Sequence, residues 1–242
     1  MNSEELVFGV NPVKEALSGH RDVFELFVQN SATDHRIESI LKKAHERAVP
    51  VHRRDREVLT KLCSSSHHQG VALRVAPFSY TEIEELVSME GDGFLLLLDG
   101  IQDPHNLGAL IRTAACAGAT GVIIPKDRAC GITSTVEKSS AGAVETIPVA
   151  RVTNICNALE YLKREGYWVY GLAGEAGTSI YSTKFSGNIV LVVGNEGEGI
   201  RQLVQKQCDV LMAIPHYGGV GSLNASVAGG IALFEVANKR SK

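Results

Sequence analysis

No uninterrupted apolar run in this 242-residue chain exceeds five residues, and Phe94–Leu98 is one of that length. A helix that crosses a bilayer needs about 20 apolar residues, so these runs suit buried strands instead. The opening MNSEELVFGV has no basic segment followed by an apolar stretch, so a secretory leader is not expected. The cysteines, Cys63, Cys116, Cys130, Cys156 and Cys208, are scattered and form no CxxC pair, which argues against a zinc framework or a disulfide scaffold and for a cytoplasmic protein. His67, His68, His105 and His216 show no metal-ligand spacing on a helix face, so no metal is expected. Aromatic residues are 6% of the chain, too few for a broad base-stacking platform. Bulk positive charge is missing too, since the net charge is −3.

What is present is unevenly distributed. Residues 36–61 hold eight basic side chains (Arg36, Lys42, Lys43, Arg47, Arg53, Arg54, Arg56, Lys61) against Glu38, Glu46, Asp55 and Glu57. By charge alone this is a solvated helix face, yet a basic patch on an acidic protein is also the form of a phosphate-docking surface. Residues 76–99 reverse the sign, with Glu82, Glu84, Glu85, Glu90, Asp92 and Asp99 and no Lys or Arg.

The pattern predicts two α/β units. Residues 6–10 read as a strand, and Asn11-Pro12 as a helix start with Asn11 the cap. Val23–Val28 reads as a strand, Asp34 as the cap of a helix with Ile37, Ile40, Leu41 and Ala44 on one face, Asp55 as the cap of a short helix, and Val71–Val75 as a strand. The first domain is thus 1–75 and a partly helical linker is 76–91, with Thr81 and Glu84 a capping box. The second domain, 92–242, has continuous apolar strands at 94–98, 121–124, 167–172, 189–193 and 210–214. Helices are expected at 106–118, 153–165, from about 199, and at 224–238. Such alternation means a mostly parallel sheet covered on both faces.

Two glycine-rich loops end consecutive strands, Gly194-Asn-Glu-Gly-Glu-Gly199 and His216-Tyr-Gly-Gly-Val-Gly-Ser222. Glycine lets backbone approach a ligand closely, and ligands of open α/β sheets sit beyond the carboxyl ends of the strands. Simple tight turns remain the alternative. No GxxxxGK[ST] is present, and both loops fall too late in the domain for a dinucleotide fingerprint.

Three segments carry a resemblance: Asn106-Leu-Gly-Ala-Leu-Ile-Arg112-Thr-Ala within LLLLDGIQDPHNLGALIRTAACAGATGVII, LVVGNEGEGI at 191–200, and IPHYGGVGSLNASVAGGIALFE at 214–235. Together they resemble the three motifs of the SpoU/TrmH family of RNA ribose methyltransferases, over about residues 92–240. Ser139–Glu145 also fits. FGVNPVKEAL and HHQGVALRV resemble the ribosomal-protein-like (L30e-like) RNA-binding domain of the branch that modifies 23S ribosomal RNA. His216 departs from the family's usual Met, Gly221 from Ser and Ala225 from Val.

The resemblance implies a C-terminal trefoil-knotted SPOUT domain, S-adenosylmethionine as cofactor, a homodimer, and methyl transfer to the ribose 2′-hydroxyl of a nucleotide, a guanosine of 23S rRNA, with no DNA or membrane partner. A tRNA ribose methyltransferase of the same fold and a catalytically silent RNA-binding relative are the alternatives. It places Arg112, Asn106, Glu196, Ser222 and Asn224 in the catalytic centre. Gly194, Ile214, Leu223 and Gly174 would meet the cofactor, mostly through main chain. Glu145 is a weaker candidate. A guanidinium keeps its proton above pH 12 or so and its fork suits phosphate. Arg112 is therefore expected to grip a substrate phosphate, and to act as a base only if the closed site depresses it. Asn106, Ser222 and Asn224 are also natural helix caps. The last helix carries apolar residues almost all round, from Ala225 to Ala237, and is expected to pack on the sheet and on a second subunit.

Overall fold

A computed structural model describes residues 4–19, 21–32, 34–87, 92–219 and 221–240. The last part of the expected linker, 88–91 with Glu90, lies outside them. Along the chain the elements are β1 (Glu5–Phe8), α1 (Val10–Ser18), β2 (Val23–Gln29), α2 (His35–Glu46), β3 (Val51–Arg54), α3 (Arg56–Cys63), β4 (Val71–Val75), α4 (Ile83–Val87), β5 (Phe94–Asp99) and α5 (Pro104–Cys116). They continue with β6 (Gly121–Pro125), α6 (Ser134–Ser139), a 3-10 turn (Ala143–Glu145), β7 (Val149–Val152), α7 (Ile155–Arg164), β8 (Trp168–Leu172), β9 (Ile189–Gly194), α8 (Gln202–Gln205), β10 (Val210–Met212) and α9 (Ala225–Arg240). The chain divides into two compact units, Met1–Ser79 with Ile132–Thr146, and Tyr80–Gly131 with Ile147–Lys242.

The first unit is a four-stranded sheet in the order β1-β4-β2-β3, in which only β2 and β3 are parallel. Side chains alternate across a strand. Leu26 and Val28 of β2 therefore join Val13, Leu17, Ile37 and Ile40 of α1 and α2 in one core, while Phe27 packs with Leu59 and Cys63 of α3 on the other face. Asp34 caps α2 as expected, its carboxylate accepting from Arg36 N at 2.9 Å. Two other expected caps are corrected. Asn11 lies inside α1, which starts after Gly9 (φ +96°), and the donor of Val10 is met by Gln69 Oε1 at 2.8 Å. Asp55 precedes α3, but its carboxylate accepts from Asn30 Nδ2 at 2.7 Å instead of capping.

The segment that folds with this unit brings a buried charge cluster. Arg21 Nη1 meets Glu137 Oε1, and Glu145 Oε1 at 3.0 Å, while Nη2 meets Glu5. All but Glu5 are almost wholly buried. Burial pushes the Glu137 carboxyl up to about 7, with Arg21 pulling the other way.

The second unit is a six-stranded, wholly parallel sheet in the order β10-β8-β9-β5-β6-β7. Leu95, Leu97, Val190 and Val192 face a core with Leu86 of α4 and Leu159 and Leu162 of α7. On the opposite face α5 and α9 cross closely. A Cβ at Gly229 would overlap Leu110 Cδ2, so α9 carries glycine where it meets α5. Thr81 is drawn into a parallel bridge with Ala150 and the helix begins at Ile83, so the expected capping box gives way to β-pairing. The helix expected from Gly199 is a single turn. The terminal helix is not buried on every face of this chain, since Val227 and Phe234 are half exposed. The five cysteines are free, and no described helix is long and apolar enough to cross a membrane.

Candidate active site

The carboxyl edge of the parallel sheet carries the site. β9 ends at Gly194, and the chain turns back on itself at once. A Cβ on Gly194 would overlap the Gly199 carbonyl, so only glycine fits there. Asn195 holds the turn, its Oδ1 accepting from Gly197 N at 2.9 Å and Glu198 N at 2.8 Å. The end of the turn is pinned to β5. Asp99, fully buried, accepts Arg201 N at 2.8 Å on Oδ2 and Arg201 Nε at 2.7 Å on Oδ1, with Nη2 at 2.6 Å. Hydrogen bonding to Asp99 raises the Arg201 pKa above its ordinary value. The pair was not foreseen from sequence. Its only trace there is an aspartate ending an otherwise apolar strand.

α5 and α9 point their first turns at Glu196. Asp103, not Asn106, caps α5, its carboxylate accepting from His105 N at 2.9 Å with Pro104 as the first helical residue. Asn106 is therefore the third helical residue, buried, and its amide is free to act elsewhere. It donates through Nδ2 to Glu196 Oε1 and accepts from Asn224 Nδ2 at 3.1 Å. Asn224 Nδ2 also lies 3.3 Å from Glu196 Oε1. Asn224 caps α9 as expected, its Oδ1 accepting from Ser226 N at 2.9 Å and Val227 N at 3.3 Å. One residue from each of the three motifs thus shares a hydrogen-bonded cluster.

Beside it lies a cavity of about 690 Å³, within the range of small-molecule sites. Gly174, Gly194, Ile214 and Leu223 all line it, as do Glu196 and Ser222. Glu175 and Glu198 also reach it, and its described lining contains no Lys or Arg. Ser222 is exposed on the loop before α9. Arg112 is not drawn into the cluster. It sits six residues beyond Asn106, roughly 120° around α5, exposed and with no hydrogen bond or ion pair among the described residues. Glu145 is committed to Arg21 in the first unit. Among the described residues no group of three His, Cys, Asp or Glu side chains is placed to hold a metal. In the basic segment, Arg47 is structural, donating to the Ala16 and Leu17 carbonyls at 3.2 Å, whereas Lys42, Arg56 and Lys61 are exposed.

A wholly parallel sheet with a glycine-turned, carboxylate-lined cavity at its carboxyl edge defines a ligand-binding α/β domain with a polar cluster at the cavity's side. The chain belongs to the SpoU rRNA methylase family, which residues 93–234 match, and residues 6–81 match the family described as RNA 2′-O ribose methyltransferase substrate binding. It is 43% identical over 239 residues to the 23S rRNA (guanosine-2′-O-)-methyltransferase RlmB of Xanthomonas campestris pv. campestris, covering 97% of this chain and 96% of that protein. It is 38% identical over 241 residues to the protein of the same name from Escherichia coli (strain K12), covering 98% and 99%. The AdoMet-bound rRNA methyltransferase of Sinorhizobium meliloti superposes with a TM-score of 0.81 at 25% identity, covering 97% of this chain and 87% of that one. The SpoU methyltransferase AviRb of Streptomyces viridochromogenes shares the fold, with a TM-score of 0.84 at 21% identity over 98% of this chain and 90% of that one.

Proposed function

We propose that this protein transfers a methyl group from S-adenosylmethionine to the ribose 2′-hydroxyl of a guanosine in 23S rRNA, in the cytoplasm. The observation that carries the cofactor assignment is the charge of the cavity. Glu175, Glu196 and Glu198 line it together with His216, and its described lining holds no Lys or Arg. A phosphate-bearing nucleotide would be repelled, whereas an adenosine carrying a sulfonium and an amino-acid group, with no phosphate, is complementary. The glycines at 174 and 194 leave main chain open to that ligand, and Leu172, Val193 and Leu211 give apolar wall.

When bound, S-adenosylmethionine supplies a methyl carbon already activated by its sulfonium. The chain's task is then positioning and proton removal. Glu196 fixes the amides of Asn106 and Asn224 and, with Ser222, shapes the place of the ribose. Arg112, which no described residue pairs, offers its fork to a substrate phosphate. The reacting 2′-hydroxyl itself distinguishes RNA from DNA. The N-terminal unit, with Lys42, Arg56 and Lys61 exposed, supplies RNA affinity.

The exposed stripe of α9, Val227 and Phe234, is proposed to meet a second copy. Light scattering at micromolar concentration should give a dimer, and a monomer would remove this part. The activity is tested by incubating the purified chain with labelled S-adenosylmethionine and transcripts of 23S rRNA and tRNA, then mapping ribose methylation. Label on a single guanosine of 23S rRNA is expected. Label on tRNA alone would transfer the assignment to tRNA, and cofactor binding without transfer would make the protein a silent RNA-binding relative.

A further inference from the structure

Ile200 lines the cofactor cavity, and the next residue, Arg201, lines a second cleft. This cleft, about 430 Å³, lies at the carboxyl ends of β6 and β7, between the loop after β6 and α8. It shares no lining residue with the first cavity. Carboxyl ends of parallel strands are where such sheets take ligands.

Two arginines enter the cleft, each by a distinct device. Arg201 is clamped by Asp99 through Nε and Nη2, which fixes the plane of the guanidinium. Its Nη1 has no partner among the described residues. A fork held on one edge by a buried carboxylate is pre-organised to bind an anion on the other. Arg128 holds a left-handed φ of +57°, a conformation that long side chains adopt rarely. Its side chain is exposed and has no hydrogen bond or ion pair among the described residues. Lys126 and Arg151 flank it, Arg151 Nη2 donating to the Lys126 carbonyl at 3.1 Å. Asp127 is the opposing carboxylate in the lining, and Leu203 presents an apolar side chain that is 69% exposed.

The cleft is also next to the chemistry. A Cβ on Gly100 would stand 3.4 Å from Asn195 Nδ2 and 3.7 Å from the Arg128 carbonyl oxygen, so the Arg128 loop and the Glu196 turn approach the same point. We propose that this cleft is a subsite for the RNA strand that presents the target ribose, with Arg128 and Arg201 binding a neighbouring phosphate and Leu203 meeting a base. The proposal rests on RNA as the substrate, set out above. Cations beside an exposed apolar side chain match a nucleotide of a strand better than a free inorganic anion.

Asn accepts a left-handed φ, so Arg128→Asn removes the cation and keeps the turn. Binding of a 23S rRNA transcript should be measured by filter retention across a salt series, with S-adenosylmethionine affinity measured separately by calorimetry. Arg128→Asn should weaken RNA binding several-fold. It should also make the slope of log K against log salt shallower by about 0.7 to 1, the share of one phosphate contact. Cofactor affinity should stay at the wild-type value. Asp127→Asn should shift RNA affinity in the opposite direction. Wild-type RNA affinity and slope in Arg128→Asn would overturn the subsite. Absence of methyl transfer by the wild-type chain would instead overturn the activity, and the salt series would still decide the cleft.

Discussion

Asn224 and Asn106 stand 118 residues apart in the chain and meet through Nδ2 and Oδ1 at 3.1 Å, with Glu196 Oε1 closing the group. Glu196 here serves two amide donors at once. A glutamine keeps the shape and replaces one carboxylate oxygen by a donor. Glu196→Gln is therefore expected to lower single-turnover methyl transfer by about 100-fold, the usual effect of removing one positioned polar group. Transfer at the wild-type rate would show that the cluster does not position substrate.

Gly194→Ala should act on binding before chemistry. Its new Cβ would overlap backbone at Gly199, which has no flexible side chain to yield. The turn must open, and both Glu196 and the cavity wall move with it. S-adenosylmethionine affinity by calorimetry is expected to fall by at least about 10-fold, or roughly 1.4 kcal/mol. An unchanged affinity would mean that the turn does not touch the ligand.

Arg112→Lys tests the fork. The exposed position of Arg112 makes the change harmless to folding. Lysine keeps the charge and loses bidentate geometry. We expect kcat/KM for RNA to drop by about 10-fold or more while melting temperature stays constant. Near-normal turnover would contradict a phosphate grip through two parallel hydrogen bonds.

The Arg21 cluster gives a pH dependence of stability. Glu137 is pushed by burial from 4.5 to about 7, against the pull of Arg21. Between those values the folded chain holds more protons than the unfolded one, so this group's contribution to stability falls as pH rises from about 4.5 to about 7 and then levels off. The wild type should lose melting temperature between pH 5 and pH 8, and Glu137→Gln should flatten that fall. An equal or steeper fall in the variant would place the titrating group elsewhere.

The parallel sheet was legible because β5 and β9 are continuous apolar runs, which only a sheet covered on both faces can bury. The glycine turn was legible for a related reason, since a chain that doubles back at Gly194 leaves no room for any other residue. Caps were read well where the local side chain had no competitor, as at Asp34 and Asn224. They failed where the helix starts upstream of the expected cap and another group meets its first donors. Gln69 serves the start of α1 from 59 residues away, and Asp103 takes the cap expected of Asn106. Losing that role is what frees Asn106 for the polar cluster.

Other parts of the site depend on pairings that no local pattern encodes. Asp99 and Arg201 are 102 residues apart, and nothing near either announces the other. The short strand β7 was missed because Val149–Val152 is brief and carries Arg151 in its middle. Arg112 shows the opposite case. Motif likeness groups it with the catalytic residues, whereas helical geometry within one chain turns it to the outer side of α5.

The crossing at Gly229 and Leu110 makes helix spacing an adjustable quantity. These two positions set how near α5 and α9 can come, and Asn106 lies in the first turn of α5 while Asn224 caps α9. Enlarging residue 229 would pry the two amides apart without altering a single polar atom, and shortening residue 110 would let them return. Sequence drift at one position is thus tolerable only in company with the other, so activity would be inherited through the pair rather than through either residue.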